Sequence, residues 1–183
     1  MFLRRSLVRA LGLFTAGALF PLGLTSNAFG EDPRAAFDRS LGAFDAGAVE
    51  RAKAGAARRL HEPDCLKVLS EFTDGEGQTL DQSLATWGMS AAEYVRMLPF
   101  RDGAAIPRCR EAGMVLLTVR GLPRVYVCPV AVGALRSPFA ETQTQSPSLG
   151  EAMVIHEMLH TLGLGENPPS SVEITRRVRA RCR

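Results

Sequence analysis

The chain has 183 residues, 46% of them hydrophobic and 22% charged, a balance that excludes wholesale disorder and leaves room for one domain with a sizeable core. Its formal charge of +3 comes entirely from Arg4, Arg5 and Arg9, and beyond residue 30 there are 19 basic side chains against 19 acidic ones. A mature chain so balanced offers no electrostatic footprint for nucleic acid. The local exception is the C-terminus, where Arg176, Arg177, Arg179, Arg181 and Arg183 crowd together. We read them as a solvated helix face.

Residues 1–28 read as an export signal. Arg4, Arg5 and Arg9 form a basic leader, and Ala10–Leu24 is an apolar run interrupted only by glycines, Thr15 and Pro21. Ser26-Asn27-Ala28 places small residues at the −3 and −1 positions of a cleavage after Ala28, with Gly30 as second choice. The run is short for a membrane span of about 20 residues. The Arg4-Arg5 pair also resembles a twin-arginine signal, although general secretion is the preferred reading. The expected product is a periplasmic or secreted domain, residues 31–183, with no stable membrane span. Cysteine usage agrees: Cys65, Cys109, Cys128 and Cys182 are even in number and contain no Cys-x-x-Cys pair, which suits two disulfides. Of three connectivities, Cys109–Cys128 with Cys65–Cys182 is favoured, the second tying the C-terminal tail to the body.

In chain order, Phe37, Leu41 and Phe44 lie at helical spacing, and a second helical stretch is expected over Val49–Leu60. His61 follows at a helix end and is read as a surface histidine. Asp74-Gly75-Glu76-Gly77 superficially suggests calcium but lacks the spacing of an EF-hand loop, so it is read as a turn. Leu80–Trp87 is a helix ended by Gly88, and Ser90-Ala91-Ala92-Glu93 is a capping box opening a helix to about Leu98. Residues 99–107 are expected to be loop. Met114–Arg120 and Arg124–Cys128, joined across Gly121-Leu122-Pro123, form an expected β-hairpin. Residues 141–147 read as a loop beside the site. The fold class is therefore α+β.

The segment that gives the chain its chemistry is His156-Glu157-Met158-Leu159-His160. Ser148-Leu149-Gly150-Glu151 is a capping box that starts its helix, and Leu149, Ala152, Ile155, Leu159 and Leu162 make an apolar stripe to bury against the sheet. On a helix, two histidines four apart share a face and can grip one metal ion. Glu157 is turned about 100° from His156, near the ion without being obliged to bind it, where a general base for a metal-activated water belongs. Catalytic zinc needs a third protein ligand. Glu166, just past the Gly163 turn that ends the helix, is the best candidate, with Glu173 on the next helix as the alternative and His61 as a less economical one. Asn167-Pro168-Pro169 breaks the helix pattern, and Ser170-Ser171-Val172-Glu173 caps a last helix that carries Ile174 and Val178 inward.

The string His156-Glu157-x-x-His160-x-x-Gly163-x-x-Glu166 resembles the signature of the zincin metallopeptidases, with a glutamate where metzincins carry a third histidine. The resemblance covers roughly residues 114–166. The longer string through Ser171 also resembles a group of exported bacterial proteins. Carried over by position, the resemblance implies zinc held by His156, His160 and Glu166, a catalytic Glu157, a compact zincin-like fold and a peptide or protein substrate. The metzincin methionine turn has no counterpart, since no methionine follows Met158. Tyr126 is a candidate for stabilising an oxyanion. The competing expectation is a metal-stabilised binding or structural module of the cell envelope, without catalysis.

Overall fold

The computed structural model describes residues 41, 43–129 and 149–183, and within them six α-helices and one three-stranded sheet make an α+β fold. The expected export signal, Phe37, the side chain of Phe44, the loop expected over 141–147 and Ser148 lie outside the described residues.

Helix α1, Ala43–Arg59, covers nearly all of the helical stretch expected over Val49–Leu60 and begins six residues earlier. Its inner face is built from small residues, Ala46, Ala48, Ala52, Ala56 and Ala57, all buried. Small side chains let another helix approach closely, and at Gly55 the approach is closest: a Cβ there would strike the Glu151 side chain. Helix α2, Pro63–Ser70, was not expected from sequence; Pro63 starts it, at a position whose missing N–H costs nothing. Helices α3, Leu80–Thr86, and α4, Ala91–Met97, follow the expected limits. Both open on capping boxes, through Thr79 with Gln82 and Ser90 with Glu93. Gly88 takes a positive φ of 64° after α3, as a C-terminal cap demands.

The expected loop over residues 99–107 is a correction. Phe100–Asp102 forms strand β1, and Pro107–Arg110 a 3₁₀ turn. Strands β2, Leu116–Thr118, and β3, Val125–Val127, are the expected hairpin, shorter than its apolar runs. The strand order is β1-β3-β2, with β1 parallel and β2 antiparallel to β3. A parallel neighbour recruited from 25 residues upstream leaves no local sequence signal for β1.

Helix α5, Leu149–Thr161, is the centre of the fold and touches α1, α4, β2, β3 and the last helix, α6, Ser171–Arg181. Its expected stripe holds at Ala152, Ile155, Leu159 and Leu162, whereas Leu149 is exposed. Burial extends well beyond a stripe: every residue from Val154 to Thr161 is buried, with helices as well as the sheet around them. Burying Ile155, Met158, Leu159 and Ile174 completely contributes about 1.5–3 kcal/mol each. Cys65 pairs with Cys182 and Cys109 with Cys128, the favoured connectivity. The first bond ties the end of α6 to α2, and the second ties the 3₁₀ turn to the end of β3.

A candidate metal centre

A helix this deeply buried should carry apolar side chains, yet His156, Glu157 and His160 are only 6%, 8% and 8% exposed. Burying three titratable groups is costly unless their polar atoms find partners or a function. Each has an identifiable place.

The helix ends at Gly163, whose φ of 106° is closed to other residues without strain. The Gly163 N–H donates to the His160 carbonyl at 3.0 Å and the Leu164 N–H to the Leu159 carbonyl at 3.1 Å, which together are a Schellman cap. A side chain at 163 would also meet the Asp74 Cβ at 2.9 Å. The cap turns the chain back on itself, so that the Leu164 carbonyl accepts a 2.8 Å hydrogen bond from His160 Nδ1. A carbonyl only accepts, so Nδ1 carries the proton and the Nε2 lone pair of His160 faces the other way. His156 Nδ1 lies 2.9 Å from Thr175 Oγ1 on α6.

The other ring nitrogens converge. His156 Nε2 and His160 Nε2 are 3.0 Å apart, and Glu166 Oε1 lies 3.7 Å from the first and 3.3 Å from the second. These three residues form a grouping able to hold a metal ion. The distances can be tested against an ion: a tetrahedral zinc with ligand bonds of 2.0–2.1 Å would space its donors about 3.3 Å apart. The observed 3.0, 3.3 and 3.7 Å bracket that value, and two imidazoles with one carboxylate are a donor set zinc accepts. The residues fit the ion. Burial, reinforced by His160, lowers the His156 pKa to about 4, with Glu166 opposing, which keeps the ring neutral as a ligand must be.

Glu157 stands beside the group without joining it. Burial raises its pKa, Thr118 and His160 pull the other way, and Glu166 adds to the rise. The Thr118 hydroxyl is near enough to favour the charged carboxylate but lacks the geometry of a full hydrogen bond, and its oxygen is buried without a partner among the described residues. The only exposed member is Glu166, whose side chain is 40% accessible. It borders a cleft of about 540 Å³ lined by Asp74, Arg120, Pro168, Pro169 and Arg177 among others.

Searches against protein-family models, curated proteins and solved structures return no match for this chain. The reading of the centre therefore rests on its own geometry.

The other candidates fall elsewhere. Glu173 gives its carboxylate to Arg176 and Arg177, whose hydrogen bonds hold its pKa well below the usual carboxylate range, and it is not in the grouping. His61 is exposed, with Nε2 3.3 Å from an Arg96 nitrogen. The Tyr126 hydroxyl, in the middle of β3, accepts from Arg124 at 3.4 Å. Asp74-Gly75-Glu76-Gly77 is a turn, in which Asp74 Oδ1 accepts from the Glu76 and Gln78 amides.

Three contributors were not expected from sequence: Thr118, Arg120 and Thr175. Arg120 Nε donates to the Gly163 carbonyl at 2.7 Å, and the Gly121 N–H donates to the His160 carbonyl at 2.9 Å. The hairpin turn thus gives the His160 carbonyl a second donor beside the Gly163 N–H and satisfies the Gly163 carbonyl just past the end of α5. Their residue types are unremarkable in their own segments, and only the tertiary fold brings them to the helix.

Proposed function

We propose that the protein is an exported zinc-dependent hydrolase of peptide bonds, a compact zincin-like metallopeptidase. The observation that carries this reading is the convergence of His156 Nε2, His160 Nε2 and Glu166 Oε1, with Glu157 buried beside them. Three protein ligands leave a fourth position open, the arrangement of catalytic rather than structural zinc. The two disulfides agree with the export signal, since such bonds persist in oxidising compartments.

A bound zinc ion would supply Lewis acidity to a scissile carbonyl and bring the pKa of its water to about 7. The chain's own work is to hold and move the proton. Glu157 accepts a proton from the attacking water at its carboxylate and delivers it to the leaving amine. The Leu164 carbonyl and Thr175 hydroxyl hold the planes of the two imidazoles.

Two substitutions test the proposal on the oxidised mature chain. Glu157→Gln should bind zinc as wild type does and lose peptide hydrolysis by about 100-fold or more. Glu166→Ala should weaken zinc binding beyond the roughly 10–100-fold that loss of an outer partner costs. Zinc retained by wild type with no cleavage across a diverse peptide library would leave a structural metal module. Absence of zinc binding by wild type would remove both readings.

A further inference from the structure

We propose that helix α6 is a working part of the metal centre and that Thr175 is the residue positioning His156 for the metal, an inference that rests on the metal-binding reading above. The two ligand imidazoles are held in different ways. His160 takes its outer partner from Leu164, four residues on, through the glycine cap of its own helix. His156 takes its partner from Thr175, 19 residues on and on a separate helix. One ligand is set locally, and the other depends on tertiary packing.

A threonine hydroxyl can donate or accept, and acceptance from Nδ1–H leaves the Nε2 lone pair turned toward His160 and Glu166. Ring orientation and tautomer are thereby fixed together. The contact is buried on the histidine side, so removing the hydroxyl strands Nδ1 away from water.

Thr175 can do this only if α6 keeps its place. Ile174 and Val178, on either side of it, are fully buried. Ser170 caps the helix start by accepting from the Glu173 N–H. At the far end Cys182, itself fully buried, is bonded to Cys65 on α2, and Arg181 pairs with Glu71 at 2.5 Å. The Cys65–Cys182 bond is accordingly a support of the metal centre through the helix that carries Thr175, whereas Cys109–Cys128 joins the 3₁₀ turn to the end of β3 and does not touch that helix.

The experiment measures zinc affinity by competition with a chromophoric chelator, alongside circular dichroism and the visible spectrum of the cobalt-loaded protein. Thr175→Val keeps the shape and removes the hydroxyl, and should weaken zinc binding by about 10–100-fold and shift the cobalt spectrum. Thr175→Ser should return both to within a few fold of wild type. Cys65→Ser with Cys182→Ser should weaken binding in the same direction, and by more than Cys109→Ser with Cys128→Ser does. Wild-type affinity in Thr175→Val overturns the positioning role, as does failure of Thr175→Ser to restore binding, because packing would then explain the loss. Equal affinity in the two cysteine double variants overturns the support role of Cys65–Cys182. If Thr175→Val does not fold by circular dichroism, Thr175→Ala takes its place with the same expected loss. Wild type that binds no zinc fails at the first measurement, before any variant, and so marks failure of the metal reading itself.

Discussion

At the scale of single residues, the proposed centre separates groups that would hold a metal from a group that would move protons. His156 and His160 have each ring nitrogen engaged, one outward and one inward, whereas Glu157 stands beside the Thr118 hydroxyl with a pKa raised by burial. The depressed pKa of His156 has a consequence for the metal-free protein. Above pH 6.5 the ring is neutral whether the chain is folded or unfolded. Between 6.5 and about 4 the unfolded chain takes up a proton that the folded chain refuses, so stability falls as pH falls. Below about 4 both states carry the proton and the loss is complete, about 3 kcal/mol for a shift of this size. Glu157 acts in the opposite sense, since a raised carboxyl pKa favours the folded state as acid protonates it. The His156 contribution is therefore the difference between wild type and His156→Asn. Urea unfolding at pH 7, 5.5 and 4 with chelator present should show wild type losing stability more steeply than the variant, and parallel curves would contradict the assignment.

At the scale of elements, the decisive feature is the cap of α5. Gly163 closes the helix, aims Leu164 at His160, admits Asp74 against its bare Cα, and brings Glu166 to the two imidazoles. Gly163→Ala would hold an alanine at a φ of 106° with its Cβ 2.9 Å from that of Asp74. The expected loss is about 1–3 kcal/mol from the backbone alone, read as a lower urea midpoint, together with weaker zinc binding as the Leu164 carbonyl shifts. The same cap explains what the sequence disclosed. His156, Glu157, His160, Gly163 and Glu166 lie within 11 residues, and helical spacing with a glycine stop is enough to bring them together. The capping boxes at Thr79 and Ser90 and the positive φ at Gly88 are local in the same way, although only the Ser90 box and the glycine were expected. Strand β1 is three residues long and parallel to β3, so its pairing belongs to the fold rather than to Phe100-Arg101-Asp102. Arg120 and Thr175 contact the centre from 43 and 19 residues away from their partners, distances at which a spacing rule carries no information.

At the scale of the whole molecule, metal binding should report on the entire packed chain. The ligands come from α5 and the turn after it, their outer partners from that turn and α6, and both helices pack into the buried core formed by α1, α2 and the sheet. An unfolded chain cannot hold His156, His160 and Glu166 at 3.0–3.7 Å, so zinc at the proposed centre would favour the folded state and stabilise it by mass action. At free zinc of about 100 times Kd the gain is about 2.7 kcal/mol. For a domain of roughly 150 residues each kcal/mol moves Tm by about 2–4 °C, so the midpoint should rise by roughly 5–10 °C. The rise should grow with the logarithm of zinc concentration, vanish with chelator, and be absent from His156→Ala combined with His160→Ala. Wild type and the double variant responding alike would show that zinc acts away from this centre, and the three converging donors would then need another explanation.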